Sequence, residues 1–173
     1  MNLDNRLFFP ATKRNKNCIA DVLSRFIRKN GSILEIGSGS GEHGVAFQKR
    51  FPEIVWQTSD PELINRKSIS SWIKYEELNN KMPQPINLNV ENIPWKIPLK
   101  LVDSLQGMVS INMIHVAKWT TTIALFRESG RLLNKGQYLI LYGPFKICNN
   151  HTRDRKSTRL NSSHRCISYA VFC

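Results

Sequence analysis

Two kinds of apolar pattern alternate along this chain. From Asn17 to Lys29, Cys18, Ile19, Val22, Leu23, Phe26 and Ile27 fall on one helical stripe, and Asn30-Gly31 supplies a stop. Ser32 to Ile36 is a short apolar run of strand length, followed by the glycine cluster GSGSGEHG. Val45, Ala46 and Phe47 open the apolar part of a second helix bounded by Pro52, and Ile54 to Thr58 reads as a second strand. Asp60-Pro61 has the form of an N-cap with proline at the first helical position, and Leu63, Ile64, Ile69, Trp72, Ile73 and Leu78 carry that helix to about Asn80.

Pro85 to Val90 is a weaker third strand, and Pro94, Trp95 and Pro98 punctuate the loop behind it. Leu105 to Ile111 forms a fourth strand, Thr121 to Leu133 a helix and Gln137 to Tyr142 a fifth strand. Strands alternating with helices predict right-handed crossovers and an α/β fold with a doubly wound, mostly parallel sheet.

Hydrophobic residues at 41% and charged residues at 22% suit one soluble globular domain, and no run approaches the roughly 18 apolar residues of a membrane-spanning helix. No secretory signal opens the sequence, which points to the cytoplasm. Residues 154–173 read DRKSTRLNSSHRCISYAVFC and resemble the in-frame translation of a short sequencing adapter. They are therefore expected to be a non-native tail, with residues 1–153 the natural domain. The tail carries four basic residues against Asp154, so +9 of the formal +12 charge remains in the domain, spread as pairs such as Lys49-Arg50. Cys18 and Cys148 are far apart and lack CxxC spacing, so neither a disulfide framework nor a metal site is expected.

In doubly wound sheets, ligands bind beyond the carboxyl ends of the strands, beside strand one. Glu35-Ile36-Gly37-Ser38-Gly39-Ser40-Gly41 occupies that place. Gly37, Gly39 and Gly41 let the backbone pass close to a ligand, and Asp60 at the end of strand two is placed to accept bonds from both ribose hydroxyls. Gly39 to Gly44 formally matches the dinucleotide GxGxxG, with Asp60 about 20 residues on. Glu35 at the very end of strand one repels a pyrophosphate and suits the cationic amino-acid end of S-adenosylmethionine, which is the preferred reading over NAD.

Phe9-Pro10-Ala11 with Arg14-Asn15, ILEIGSGSGEH from Ile33, WQTSDP from Trp56, INMIHVAKW from Ile111 and LYGPFK from Leu141 together resemble the methyltransferase-like 26 family. That family belongs to the class I S-adenosylmethionine-dependent methyltransferases, and its substrate is poorly defined. The resemblance implies that Asn89 and Val90 at the end of strand three stand at the adenine. Asn89 replaces an aspartate there, and its carbonyl oxygen can still accept the adenine amino group. It also implies that Phe9-Pro10 and Arg14-Asn15 fold over the cofactor as a lid. The class I fold adds a helix and an antiparallel strand pair after strand five. With the C-terminal strands missing from the natural part, the edge of strand five is expected to be open.

Methyl transfer depends on positioning and exclusion of water more than on a strong base. Asn112 and His115, after strand four, are the candidate catalytic residues: Asn112 to orient the acceptor or to shape a turn, His115 to take the released proton or to bond backbone as a partly buried histidine. His43 reads as capping the site or, in preference, as solvated, Trp95 as either an adenine cover or core, and Tyr142 with Phe145 as an aromatic wall or core. HExxH, GxSxG and Walker motifs are absent, so hydrolase and triphosphate chemistry have no support. The leading function is an S-adenosylmethionine-dependent methyltransferase with a small-molecule or unknown acceptor. The alternatives are an NAD-dependent oxidoreductase, or a basic RNA-binding or RNA-modifying module that the charge supports weakly.

Overall fold

A computed structural model describes residues 4–144, 146–147, 150–151 and 168–172. Four parallel strands form the sheet in spatial order β2-β1-β3-β4: β1 (Ser32–Ile36), β2 (Val55–Ser59), β3 (Leu105–Ile111) and β4 (Tyr138–Tyr142). The chain is thus an α/β protein with a doubly wound sheet of the Rossmann type. All five residues of β1 are buried, as expected for a central parallel strand covered on both faces.

Alternation along β1 divides the core between the faces. Ile33 joins Leu23, Phe47, Trp56, Ile69 and Ile73 on one side. Leu34 and Ile36 join Met108, Leu125 and Leu139 on the other. The first layer contains helices α1 (Pro10–Leu23), α2 (Glu42–Arg50) and α3 (Leu63–Tyr75). The second contains α4 (Leu99–Ser104) and α5 (Trp119–Leu132).

Several elements depart from the sequence expectations. Helix α1 begins at Pro10 rather than Asn17, because proline fits its first position and Thr12 and Asn15 are buried on the same stripe as Ile19 and Leu23. Helix α3 is capped by Glu62, not Asp60, and it ends at Tyr75, before Glu77 adopts φ 56°. The expected third strand shrinks to one parallel bridge between Ser59 and Ile86. Pro83 and Pro85 have no N–H to donate, which limits ladder pairing there. Cys18 is disulfide-bonded, a correction to the reading from spacing.

The edge expected to be open is paired. Strand β7 (Ser168–Phe172) lies antiparallel to β4, from Tyr138 opposite Phe172 to Tyr142 opposite Ser168. Strands β5 (Lys146–Ile147) and β6 (Asn150–His151) form a separate two-stranded ribbon. No helix among the described residues is long and apolar enough to cross a membrane.

Candidate functional site

The strand order reverses at β1, and the loops leaving β1, β2 and β3 converge there on a cavity of about 500 Å³. The expected residues Glu35, Gly37, Gly39, Asp60, Asn89, Val90 and Asn112 all line it. Gly41 is not in the lining but caps α2 at φ 90°, where an added Cβ would lie 2.8 Å from the Ile69 Cα. Gly37 and Gly39 adopt φ 68° and 55°. A Cβ would come within 3.0 Å of Met113 Sδ at Gly37 and of Phe9 Cε2 at Gly39. A side chain at either position would therefore crowd Met113 or Phe9, which lie against the loop.

Asp60 is buried and ties the loop to α3. Its Oδ2 accepts the Gly39 N–H at 2.9 Å, while Oδ1 accepts the Glu62 N–H at 2.9 Å and the Asn65 amide at 3.0 Å. A carboxylate offers about four acceptor sites, so three are filled from within the protein. One remains for a ligand hydroxyl, where the sequence suggested two.

Glu35 points into the α2 face of the sheet, beneath Gly44, where an added Cβ would lie 3.1 Å from Oε2. The Trp56 indole N–H donates to that oxygen at 2.7 Å. Burial raises the Glu35 pKa to about 7, against the hydrogen bonds from Trp56 and Ser38, and the charge of Asp60 adds to the rise.

His43, read from sequence as solvated, is buried and lines the cavity. Its Nε2 faces Asn15 Oδ1 at 2.9 Å, which makes Nε2 the protonated nitrogen, and its ring stacks on Phe47. Burial, then the Lys16 charge, lowers its pKa to about 4 and keeps the ring neutral.

The exit from β3 splits the two candidate catalytic residues. Asn112 turns the chain at φ 55°, with its N–H donating to the Tyr142 carbonyl at 2.8 Å. The Val116 and Ala117 amides then both bond the Met113 carbonyl, at 3.1 and 3.0 Å. This turn presents Met113, Val116 and Ala117 to the cavity, whereas His115 is exposed and outside the lining. Trp95 is core, its indole bonded to the Val90 carbonyl at 2.9 Å, and Tyr142 packs against the α1–α3 layer. Phe145 lies outside the described residues.

The segment before α1 lies over the glycine loop. The Leu7 N–H donates to Ser68 Oγ at 2.8 Å, and that hydroxyl donates to the Ser40 carbonyl at 2.6 Å. The Phe9 N–H meets Glu42 Oε2 at 2.9 Å, and the Arg6 guanidinium lies 3.6 Å from the Tyr75 ring centroid. Phe9 and Ala11 line the cavity, but Arg14 points to solvent. Sequence reasoning missed Thr12, Glu62, Asn65, Glu91 and Thr121 in the lining. Starting α1 at Pro10 would have revealed Thr12, three residues before Asn15 on one face.

Residues 6–162 match the model of a family described as a protein of unknown function, DUF938. The fold is similar to that of the S-adenosylmethionine-dependent methyltransferase SibL (TM-score 0.69, 11% identity, 86% of this chain and 40% of that one). It is also similar to an O-methyltransferase family protein from Burkholderia thailandensis (0.60, 14%, 80% and 41%). A third similar structure is geranyl diphosphate C-methyltransferase from Streptomyces coelicolor A3(2) (0.58, 14%, 75% and 46%). The chain spans less than half the length of each of these three proteins.

Proposed function

The chain belongs to the DUF938 family, and on that premise we propose that it is an S-adenosylmethionine-dependent methyltransferase. The carrying observation is the pairing of a left-handed glycine cradle with a buried carboxylate, Gly39 N–H to Asp60 Oδ2 at 2.9 Å, in the wall of a 500 Å³ cavity at the reversal of strand order. The donor set fits an adenosyl group. Gly37 and Gly39 let the backbone of the loop line the cavity with Met113 and Phe9 packed close against it, and Asp60 keeps one acceptor site for a ribose hydroxyl. Asn89 and Val90 line the same cavity where the family resemblance places the adenine. When bound, S-adenosylmethionine supplies an electrophilic methyl group on a positively charged sulfur.

The chain's own residues orient and exclude. Asn112 offers an amide to hold the acceptor, and Phe9 and Met113 cover the glycine loop against water. His43 is neutral and fixed by Asn15, so it accepts or donates a hydrogen bond without carrying the released proton at neutral pH. That proton leaves to water, since the exposed His115 does not line the cavity.

The finer assignment to the methyltransferase-like 26 group rests on the blocks Ile111–Trp119 and Leu141–Lys146. The reading of 154–173 as translated adapter rests on its residue match, and sequencing the source gene past Thr152 tests it. Titration calorimetry with S-adenosylhomocysteine and with NAD tests the function. Binding of the first alone, weakened at least about tenfold in Asp60→Asn, is the expected result. Binding of NAD alone, or an affinity indifferent to Asp60→Asn, overturns the reading.

A further inference from the structure

The chain carries 25 lysines and arginines against 13 acids. The cavity inverts that balance: Asp60, Glu62 and Glu91 line it together with Glu35, which is half protonated near pH 7, and neither lysine nor arginine is among the described lining residues. Glu91 adds a fixed charge at the start of α5. The Thr120 and Thr121 hydroxyls both donate to its Oε1 and hold its carboxyl below the usual range, leaving Oε2 to accept elsewhere. Beside these acids and several neutral polar residues the lining has an apolar part, formed by Phe9, Met113, Val116 and Ala117. Val116 is 76% and Phe9 45% exposed, so apolar surface reaches the mouth.

Resting on the methyltransferase reading above, we propose that the methyl acceptor is a small amine with an apolar body, and that anionic acceptors, phosphate esters and nucleic acids included, are rejected. In transfer to an amine that binds as its ammonium, the nitrogen first gives one proton to water, and the freed lone pair then forms the N–CH3 bond as the S–CH3 bond breaks. Positive charge passes from sulfur to nitrogen, and the methylated product leaves as an ammonium. The positive charge stays inside one negative field from start to finish, and a field fixed in advance stabilises it without reorganisation. An anionic acceptor must instead enter that field with no cation of the lining to meet it. Its methylation also annihilates the positive charge that the field favours. The nearest basic residues stand behind the lining and not in it: Arg66 Nη1 donates to the Asp60 and Pro61 carbonyls at 2.9 and 2.6 Å, Lys118 acts on Glu91 and Lys16 on His43.

Matched triples of amine, alcohol and carboxylate test this, beginning with phenethylamine, phenethyl alcohol and phenylacetate and extending to indole and alkyl skeletons. Binding to protein saturated with S-adenosylhomocysteine is read by calorimetry at low and high salt, and methylation with S-adenosylmethionine is read by mass spectrometry. The amine of at least one triple is expected to bind about tenfold or more tighter than its carboxylate. The preference should narrow at high salt and in the exposed-site variants Glu62→Gln and Glu91→Gln. The proposal is overturned if no amine binds, if carboxylates or alcohols match their amines, or if neither salt nor the substitutions change the order. Saturation with S-adenosylhomocysteine is itself the check on the underlying reading, and its failure is seen before any acceptor is added.

Discussion

Two buried titratable groups in one cavity pull stability with pH in opposite directions, and separating them tests the electrostatics of the site. Glu35 moves from 4.5 to about 7, chiefly through burial. Between those values the folded chain holds more protons than the unfolded chain, so stability falls as pH rises, by about 3 kcal/mol over the whole interval. His43 moves from 6.5 to about 4, again chiefly through burial. There the unfolded chain holds more protons, so stability rises with pH by a similar amount, about 3 kcal/mol. From 4.5 to 6.5 the two slopes cancel, and only the last part of the Glu35 loss is visible, up to about pH 7.

Glu35→Gln lifts the cancellation. Glutamine keeps an oxygen for the Trp56 indole and does not titrate in this range. The variant should therefore gain on the wild-type chain by about 3 kcal/mol between pH 4.5 and just above 7, exposing the rising His43 slope. His43→Gln should show the reverse, a stability that falls across the same window. Urea unfolding followed by tryptophan fluorescence at closely spaced pH values measures both. Wild-type and Glu35→Gln curves that run parallel through the window would refute a buried carboxyl titrating near neutrality.

Three further substitutions probe the scaffold. Gly41→Ala should cost about 2 kcal/mol or more, because φ is 90° and the new Cβ would lie 2.8 Å from the Ile69 backbone; an unchanged melting temperature would sink this. Gly130→Ala should instead stabilise by about 0.5–1 kcal/mol, since that helical position has nothing within 4 Å of the added carbon, and a lowered melting temperature would contradict it. Glu128→Ala should cost about 1–3 kcal/mol by leaving the buried Trp95 N–H without its 2.8 Å acceptor. Hydrogen exchange at Trp95 should quicken accordingly, and unaltered protection there would count against the bond.

The four parallel strands were legible because each is an apolar run bounded by glycine, proline or polar residues, and the glycine loop followed from its place after β1. The misreadings have three causes, and the first is that buried polar residues leave no hydrophobic period. Thr12 and Asn15 concealed the first turns of α1, and Asn15 in turn buries the His43 that looked solvated. Proximity along the chain misled at the exit from β3. His115 follows Asn112 by three residues, yet the left-handed turn at Asn112 and the two hydrogen bonds that the Met113 carbonyl accepts from Val116 and Ala117 put Val116 into the cavity in its place. The loop after β2 failed for a third reason, since local cap signals place an N-cap at Asp60 while tertiary bonding to Gly39 commits that carboxylate to the glycine loop.

The polar lining also explains why backbone, rather than side chains, must carry most ligand recognition here. Glu35 is bonded to Trp56, His43 to Asn15, and Asp60 to Gly39, Glu62 and Asn65, each pair joining two elements that meet at the cavity. These bonds fix the positions of the strand ends and the first turns of α1 and α2, and they use up much of the side chains' own capacity. A ligand that had to break them would bear the cost of leaving a buried partner unsatisfied, about 1–3 kcal/mol for each. A ligand accepted by the backbone of the glycine loop and the one open site on Asp60 breaks none. The same economy makes Glu35 and Asp60 act mainly at a distance, as a field, while Glu91, whose bonds to Thr120 and Thr121 use only Oε1, keeps Oε2 for direct contact.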